Sequence, residues 1–206
     1  MPTPGPLRAG GAQARPAPPA AFRDALADLR DARPRPEVRL RPIEAPPGPA
    51  PHAVALAAEV LDPAAGEDGV LATGRFVLLH DPAGSPVWHG TFRAVTYIRA
   101  SLEPEAANDH LAGAVAWTWL AEALDQRHAE HSHAGGTATR QLAEHFGVLA
   151  DEPGWTDLEL RASWTPAPRD LGAHLEAWSD MICAFAGLPP EADATHAAGP
   201  RPAPRD

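Results

Sequence analysis

Apolar and polar positions along the chain alternate in runs of two different periods. In AFRDALADLRDAR, Ala21 to Arg33, the spacing of Phe22, Ala25, Leu26 and Leu29 predicts a short helix. The RPRP that follows stops it, because proline disfavours helix at its own position and at the one before. EVRLRPI, Glu37 to Ile43, changes period: Val38 and Leu40 alternate with Arg39 and Arg41, the pattern of a half-buried strand. AVALAAEVL repeats it with Val54, Leu56, Ala58 and Val60. After the turn DPAAGEDG, VLATGRFVLLH reads as a third strand, and its continuous apolar run Phe76 to Leu79 predicts a central strand covered on both sides. The hairpin connection DPAGSP leads into VWHGTFRAVTYIRAS. There Trp88, Phe92, Ala94, Thr96 and Ile98 share one face, and His89, Thr91, Arg93, Val95, Tyr97 and Arg99 the other.

The second half returns to the helical period. A long helix is expected from about Asp109 to His131 on a stripe of Leu111, Ala114 or Val115, Trp117, Leu120 and Leu124, ended by Gly135 and Gly136. TATRQLAEHFGVL and TDLELRASW follow as two strands, the second alternating Leu158, Leu160, Ala162 and Trp164 with Asp157, Glu159, Arg161 and Ser163. The last helix, Leu171 to Leu188, carries Leu171, Leu175, Trp178, Ile182 and Phe185 on one side. The expected fold is α+β, with about six antiparallel strands, two long helices packed on one face and a short N-terminal helix. RASLEP at 99–104 is echoed by RASWTP at 161–166, and Trp117 by Trp178 at like spacing. The echo fits either an internal duplication of a hairpin-helix unit or chance in a chain rich in Ala and Arg.

Composition changes the picture at the two ends. Residues 1–20 and 189–206 hold little but Pro, Ala, Gly and Arg, and read as disordered arms around one domain at 21–188. A domain of that size buries roughly 70% of the surface its unfolded chain exposes, so its core requires no metal or disulfide. All 17 basic residues are Arg, set against 27 acidic ones. Because the stretch up to Arg41 is basic, the rest is more acidic than the net charge of −10 suggests. Such a body repels phosphate backbones, which disfavours nucleic acid as a partner. No run approaches the roughly 20 apolar residues of a membrane span, and the N-terminus lacks the apolar core of a secretory signal. Cytoplasm is the expected location, with no membrane partner. Cys183, the one cysteine, sits among apolar residues and reads as a small buried hydrophobe.

GRFVLLHDPAG (Gly74 to Gly84), WHGTFRAVTY (Trp88 to Tyr97), GGT (Gly135 to Thr137) and RASWTP (Arg161 to Pro166) closely resemble an actinobacterial family of unknown function, the DUF3000 proteins. The resemblance spans about Phe22 to Pro190. It implies no activity, cofactor or catalytic residue, since the family has none assigned. It also implies Asp where this chain has His89, and no counterpart for the histidines before the GGT.

Three groups of residues carry candidate chemistry. His128, His131 and His133 suit a zinc or copper site by residue type, but they lie at an expected helix end flanked by glycine, with no evident outer partner for the imidazoles. No metal and no cofactor are expected. His80, Asp81 and His89 flank the hairpin and could meet across it, though no nucleophile accompanies them, and Asp81 suits a turn-starting side chain. Arg93, Tyr97, Arg99 and Arg161 fall on the mixed face of the sheet, where planar cations beside a phenol suit an anionic small molecule or an acidic partner segment. The competing use is cross-strand pairing with Asp157 and Glu159. Trp119 lies off the main helical stripe and marks a potential contact with a partner or, in a homodimer, with a second copy. These features favour a non-catalytic binding or adaptor module over the alternative, an enzyme acting on an anionic substrate through His and Arg.

Overall fold

The computed structural model describes residues 17–48, 50–62, 69–102 and 111–190. The arms expected at 1–20 and 189–206 lie, but for a few residues, outside the described residues. In chain order the described elements are α1 (Ala20–Asp31), β1 (Val38–Ile43), β2 (His52–Leu61), β3 (Val70–Ser85), β4 (Gly90–Ser101), α2 (Ala112–Gln126), β5 (His131–Ala143), a 3-10 turn at Gly147–Leu149, β6 (Trp155–Pro166) and α3 (Leu171–Phe185). The strands form one antiparallel sheet in the order β1-β2-β3-β4-β6-β5, so the fold is α+β.

Alternation along each strand sorts its residues between two faces. On one face Val60, Ala72, Phe76, Leu78, Phe92, Ala94, Ile98, Leu158, Leu160 and Trp164 are buried in a single core with Leu120, Leu124, Leu175, Trp178 and Ile182 from the helices. α3 packs on β3 and β4, α2 on β5 and β6, and α1 against α3. The α3 contact is close because Gly74 has no side chain: a Cβ there would sit 2.7 Å from both Ile182 Cδ1 and Trp178 Cζ2. At the start of α3, Asp170 adopts φ +50 and offers no cap, and the Leu171 amide instead donates to Asp28 on α1. At its end the Leu188 amide donates to the Cys183 carbonyl and Gly187 takes φ +74, the paired-bond termination that satisfies the last carbonyls of a helix.

Three expectations change. The helix expected over 109–131 is shorter, Ala112–Gln126, and Asp109 lies outside the described residues. His128, not the glycine pair, ends it: His128 takes φ +52 and the Ala129 amide reaches back to the Leu124 carbonyl, the same arrangement Gly187 makes. Histidine tolerates the left-handed region better than most residues. His131 and His133 therefore open a strand rather than close a helix, and the strand expected over 137–149 runs instead from His131 to Ala143. Gly136 lies inside it because a Cβ would meet the Arg161 carbonyl at 2.6 Å and the Trp117 ring at 3.0 Å. Finally, β3 is central but its second side is covered only in part: Leu79 is buried there and Val77 half-buried, while Thr73 and Arg75 are exposed.

Candidate binding face

The uncovered face of the sheet can be read row by row from the register. One row runs Ile43, Ala55, Val77, Val95, Ser163, Gly135, and is apolar over four strands. The next runs Arg41, Ala57, Arg75, Tyr97, Arg161, Thr137, and the one beyond Arg39, Glu59, Thr73, Arg99, Glu159, Thr139. Residues of all three rows line a depression of about 1020 Å³, with Arg41, Arg75, Tyr97, Arg99 and Arg161 in its walls beside Glu44 and Glu59.

Placing β6 beside β4 is what brings Tyr97, Arg99 and Arg161 together. The Tyr97 hydroxyl donates to Glu159 Oε1 at 2.8 Å, and the Arg161 guanidinium lies 5.5 Å from the centre of the Tyr97 ring and 3.4 Å from Glu159 Oε2. Burial first, and the neighbouring Glu159 second, push the Tyr97 hydroxyl above its ordinary pKa. Arg99 holds Asp157, which also accepts from the Ser101 hydroxyl at 2.7 Å. Tyr97 and Arg99 are thus paired across the strands and Arg161 with Glu159 along its own strand, with both carboxylates buried, at 4% exposure for Asp157 and 7% for Glu159. Arg93 stands apart from the depression. It donates to the His133 carbonyl, Thr165 Oγ1 and Ser163 Oγ, contacts no carboxylate among the described residues, and burial lowers its pKa.

Arg41 and Arg75 were not among the expected site residues. Both are exposed, line the depression and make no ion pair among the described residues. The alternation of Thr73, Arg75 and Val77 is the signal for Arg75, hidden in the sequence by the apolar run beside it. Arg41 had a readable signal in its alternation with Leu40, but the depression it lines depends on strand order.

The two histidine groups are taken apart by the structure. His80 is on the covered face, 2% exposed, stacked 4.2 Å from Phe92, with Nδ1 3.0 Å from the Thr91 carbonyl and Nε2 without a partner. Burial lowers its pKa, more than the Thr91 carbonyl raises it. Asp81 accepts from the Ala83 amide at 3.0 Å, an Asx turn opening the hairpin, and no hydrogen bond joins it to either histidine. His89, at φ +55, stacks on His133, at φ +51, with ring centres 4.1 Å apart. His131 Nδ1 lies 2.9 Å from the Ala129 carbonyl. Among the described residues no group of three or more His, Cys, Asp or Glu is arranged to hold a metal. A further histidine, His174, is 1% exposed and accepts from Trp164 Nε1 at 3.1 Å. Burial pulls its pKa down to about 4, with His131 adding to the effect and Asp170 opposing it. Its role here is internal to the core.

No helix among the described residues is long and apolar enough to cross a membrane. No curated protein and no solved structure matches the chain. The model of one family does match, over residues 18–195, and so takes in every strand and helix described above: the chain belongs to DUF3000, a family described as proteins of unknown function.

Proposed function

We propose that the chain is a non-catalytic cytoplasmic binding or adaptor module whose open sheet face takes a small anionic ligand or an acidic segment of a protein partner. The observation that carries this reading is the pair Arg41 and Arg75, exposed and without carboxylate partners among the described residues of an otherwise acidic protein, beside the apolar row Ile43, Val77 and Val95. Guanidinium groups held on strands present planar donors to carboxylate or phosphate at little further ordering cost. Arg161, its side chain 70% exposed, extends the same row. Tyr97, Arg99 and the carboxylates they hold then fix the floor of the site rather than its mouth.

Isothermal titration with pyrophosphate, citrate and a glutamate-rich peptide tests this. At least one probe is expected to bind, with affinity falling as salt is raised and lost in Arg41→Ala/Arg75→Ala. No heat from any of the three, or binding unchanged in the double variant, removes the reading. The enzyme alternative, chemistry on an anionic substrate through His and Arg, is weaker because no histidine among the described residues lines the depression.

The same reading takes residues 21–188 as the single domain and the hairpin-helix echo as an internal duplication. The offset that carries Arg99 onto Arg161 carries Ile98 onto Leu160, and these two are direct partners across β4 and β6, where a pseudo-twofold axis would pass. Limited proteolysis is expected to trim the chain to about 21–188. Failure of β3-β4-α2 to superpose on β5-β6-α3 in an experimental structure would remove the duplication.

A further inference from the structure

The two edges of the sheet are built differently. β1 is 6 residues long and carries Arg39, Arg41 and Pro42, which are the devices that keep an edge from pairing with another chain. β5, at the other edge, is 13 residues long, has no proline, and carries one formal charge, Arg140, with every residue but Ala143 exposed. Past the irregularity between Ser132 and Gly135, its stretch Gly135–Ala143 pairs regularly with β6 and, among the described residues, has no strand on its outer side.

A helix lies close behind that open edge. α2 packs over β5 and β6, with Trp117 against Gly136 and Gly113 against Ala138. At 100° per residue, the flank of α2 turned toward the free edge is Ala114, Trp117 and Ala121. It is uncharged, with Ala114 and Ala121 exposed and Trp117 half-buried. Leu142 shares the helix side of β5 with Gly136 and Ala138 and is 65% exposed. The opposite flank is occupied within the chain, where Trp119 meets Phe185 edge-on.

We propose that β5 pairs antiparallel with β5 of a second copy of this chain, giving a continuous twelve-stranded sheet with α2 against α2 across the twofold axis. Strand spacing sets the distance between the helices. With strands about 4.8 Å apart and α2 above the line between β5 and β6, the two α2 axes fall about 10 Å apart, at the upper end of the 8–10 Å of packed helices. Alanines at 114 and 121 permit that approach. Within each chain the helices already follow one another across the sheet as α1, α3, α2, so the second copy continues both layers. An isolated strand from another protein would pair with β5 but leave Ala114, Trp117 and Ala121 bare, which is why a second copy is the better occupant. In a face-matched antiparallel pairing, Arg140 opposes itself in one register alone.

Sedimentation velocity on the full chain tests this. A species of twice the 21.7 kDa chain mass is expected to form with rising concentration. Ala114→Glu/Ala121→Glu, both exposed in the single chain, is expected to weaken it at least ~10-fold. Thr139→Lys, which restores an edge guard, is expected to do the same, and serves if the double variant has lost its helical circular dichroism. A wild-type chain that stays monomeric to ~100 µM, or a dimer that neither variant weakens, overturns the proposal.

Discussion

Phe76, Ile98, Leu160 and Trp164 on one face of the sheet, and Arg75, Tyr97, Arg99 and Arg161 on the other, come from the same strands one residue apart. The first group lies beneath α2 and α3 and is sealed from water; among the described residues no helix packs on the second. On the covered face shape decides, because Gly74 and Gly136 let Trp178 and Trp117 approach to contact. On the open face charge decides, and it does so in two grades: Arg99 and Arg161 reach the buried Asp157 and Glu159, while Arg41 and Arg75 reach no carboxylate among the described residues. Substitutions on the two faces should therefore be felt in different measurements.

The largest effect is expected from Trp178→Ala, which empties a fully buried site against Phe76 and Gly74 and should cost about 3–5 kcal/mol in urea unfolding. A loss below about 1 kcal/mol would mean that the covered face is not packed as described. Next comes acid. His174 is neutral in the fold down to about pH 4, while in the unfolded chain it takes up its proton near pH ~6.5. The unfolded state then binds more protons, so His174 lowers stability as pH falls from about 6.5 to 4, by about 3 kcal/mol at the bottom of that window. Unfolding measured at pH 7 and 4.5 should show a shallower fall in His174→Asn, which keeps an acceptor for Trp164 but does not titrate.

On the open face, Tyr97→Phe leaves Glu159 Oε1 without its phenol donor and should cost about 1–2 kcal/mol, read from the shift in the denaturation midpoint. Arg41→Ala/Arg75→Ala should change stability by no more than about 0.5 kcal/mol while abolishing anion binding. A double variant that unfolds instead would erase the distinction between the two grades of arginine.

The covered face was largely legible because alternation and helical spacing are direct records of burial: Phe92, Ala94, Thr96 and Ile98 are expected on one side and are buried there, whereas Trp88, expected with them, is buried in the turn before β4 and outside that core. Less visible was anything depending on strand order. That β6 lies beside β4, joining Tyr97 to Glu159 and Arg99 to Asp157, follows from no local pattern. The histidine stretch misled for a different reason. Glycine is the usual residue past a helix end, so Gly135 and Gly136 were read as the stop, whereas His128 adopts the left-handed conformation itself and Gly136 serves a close contact within a strand. Arg75 is masked by the apolar run that follows it, since Val77 looks the same in sequence as the buried Leu79 two residues on, although only the latter's end of that face is closed.

The pairing of β4 with β6 also has a consequence in time. β3 with β4, and β5 with β6, can form as hairpins between neighbours in sequence, but Ile98 and Leu160 must find each other across α2 and the whole of β5. Closing that long loop costs chain entropy that neither hairpin pays, so the meeting of the two halves is the step expected to set the refolding rate. Ile98→Val should then slow refolding in stopped-flow measurements, whereas Val87→Ala, in the exposed turn between β3 and β4, should leave it unchanged.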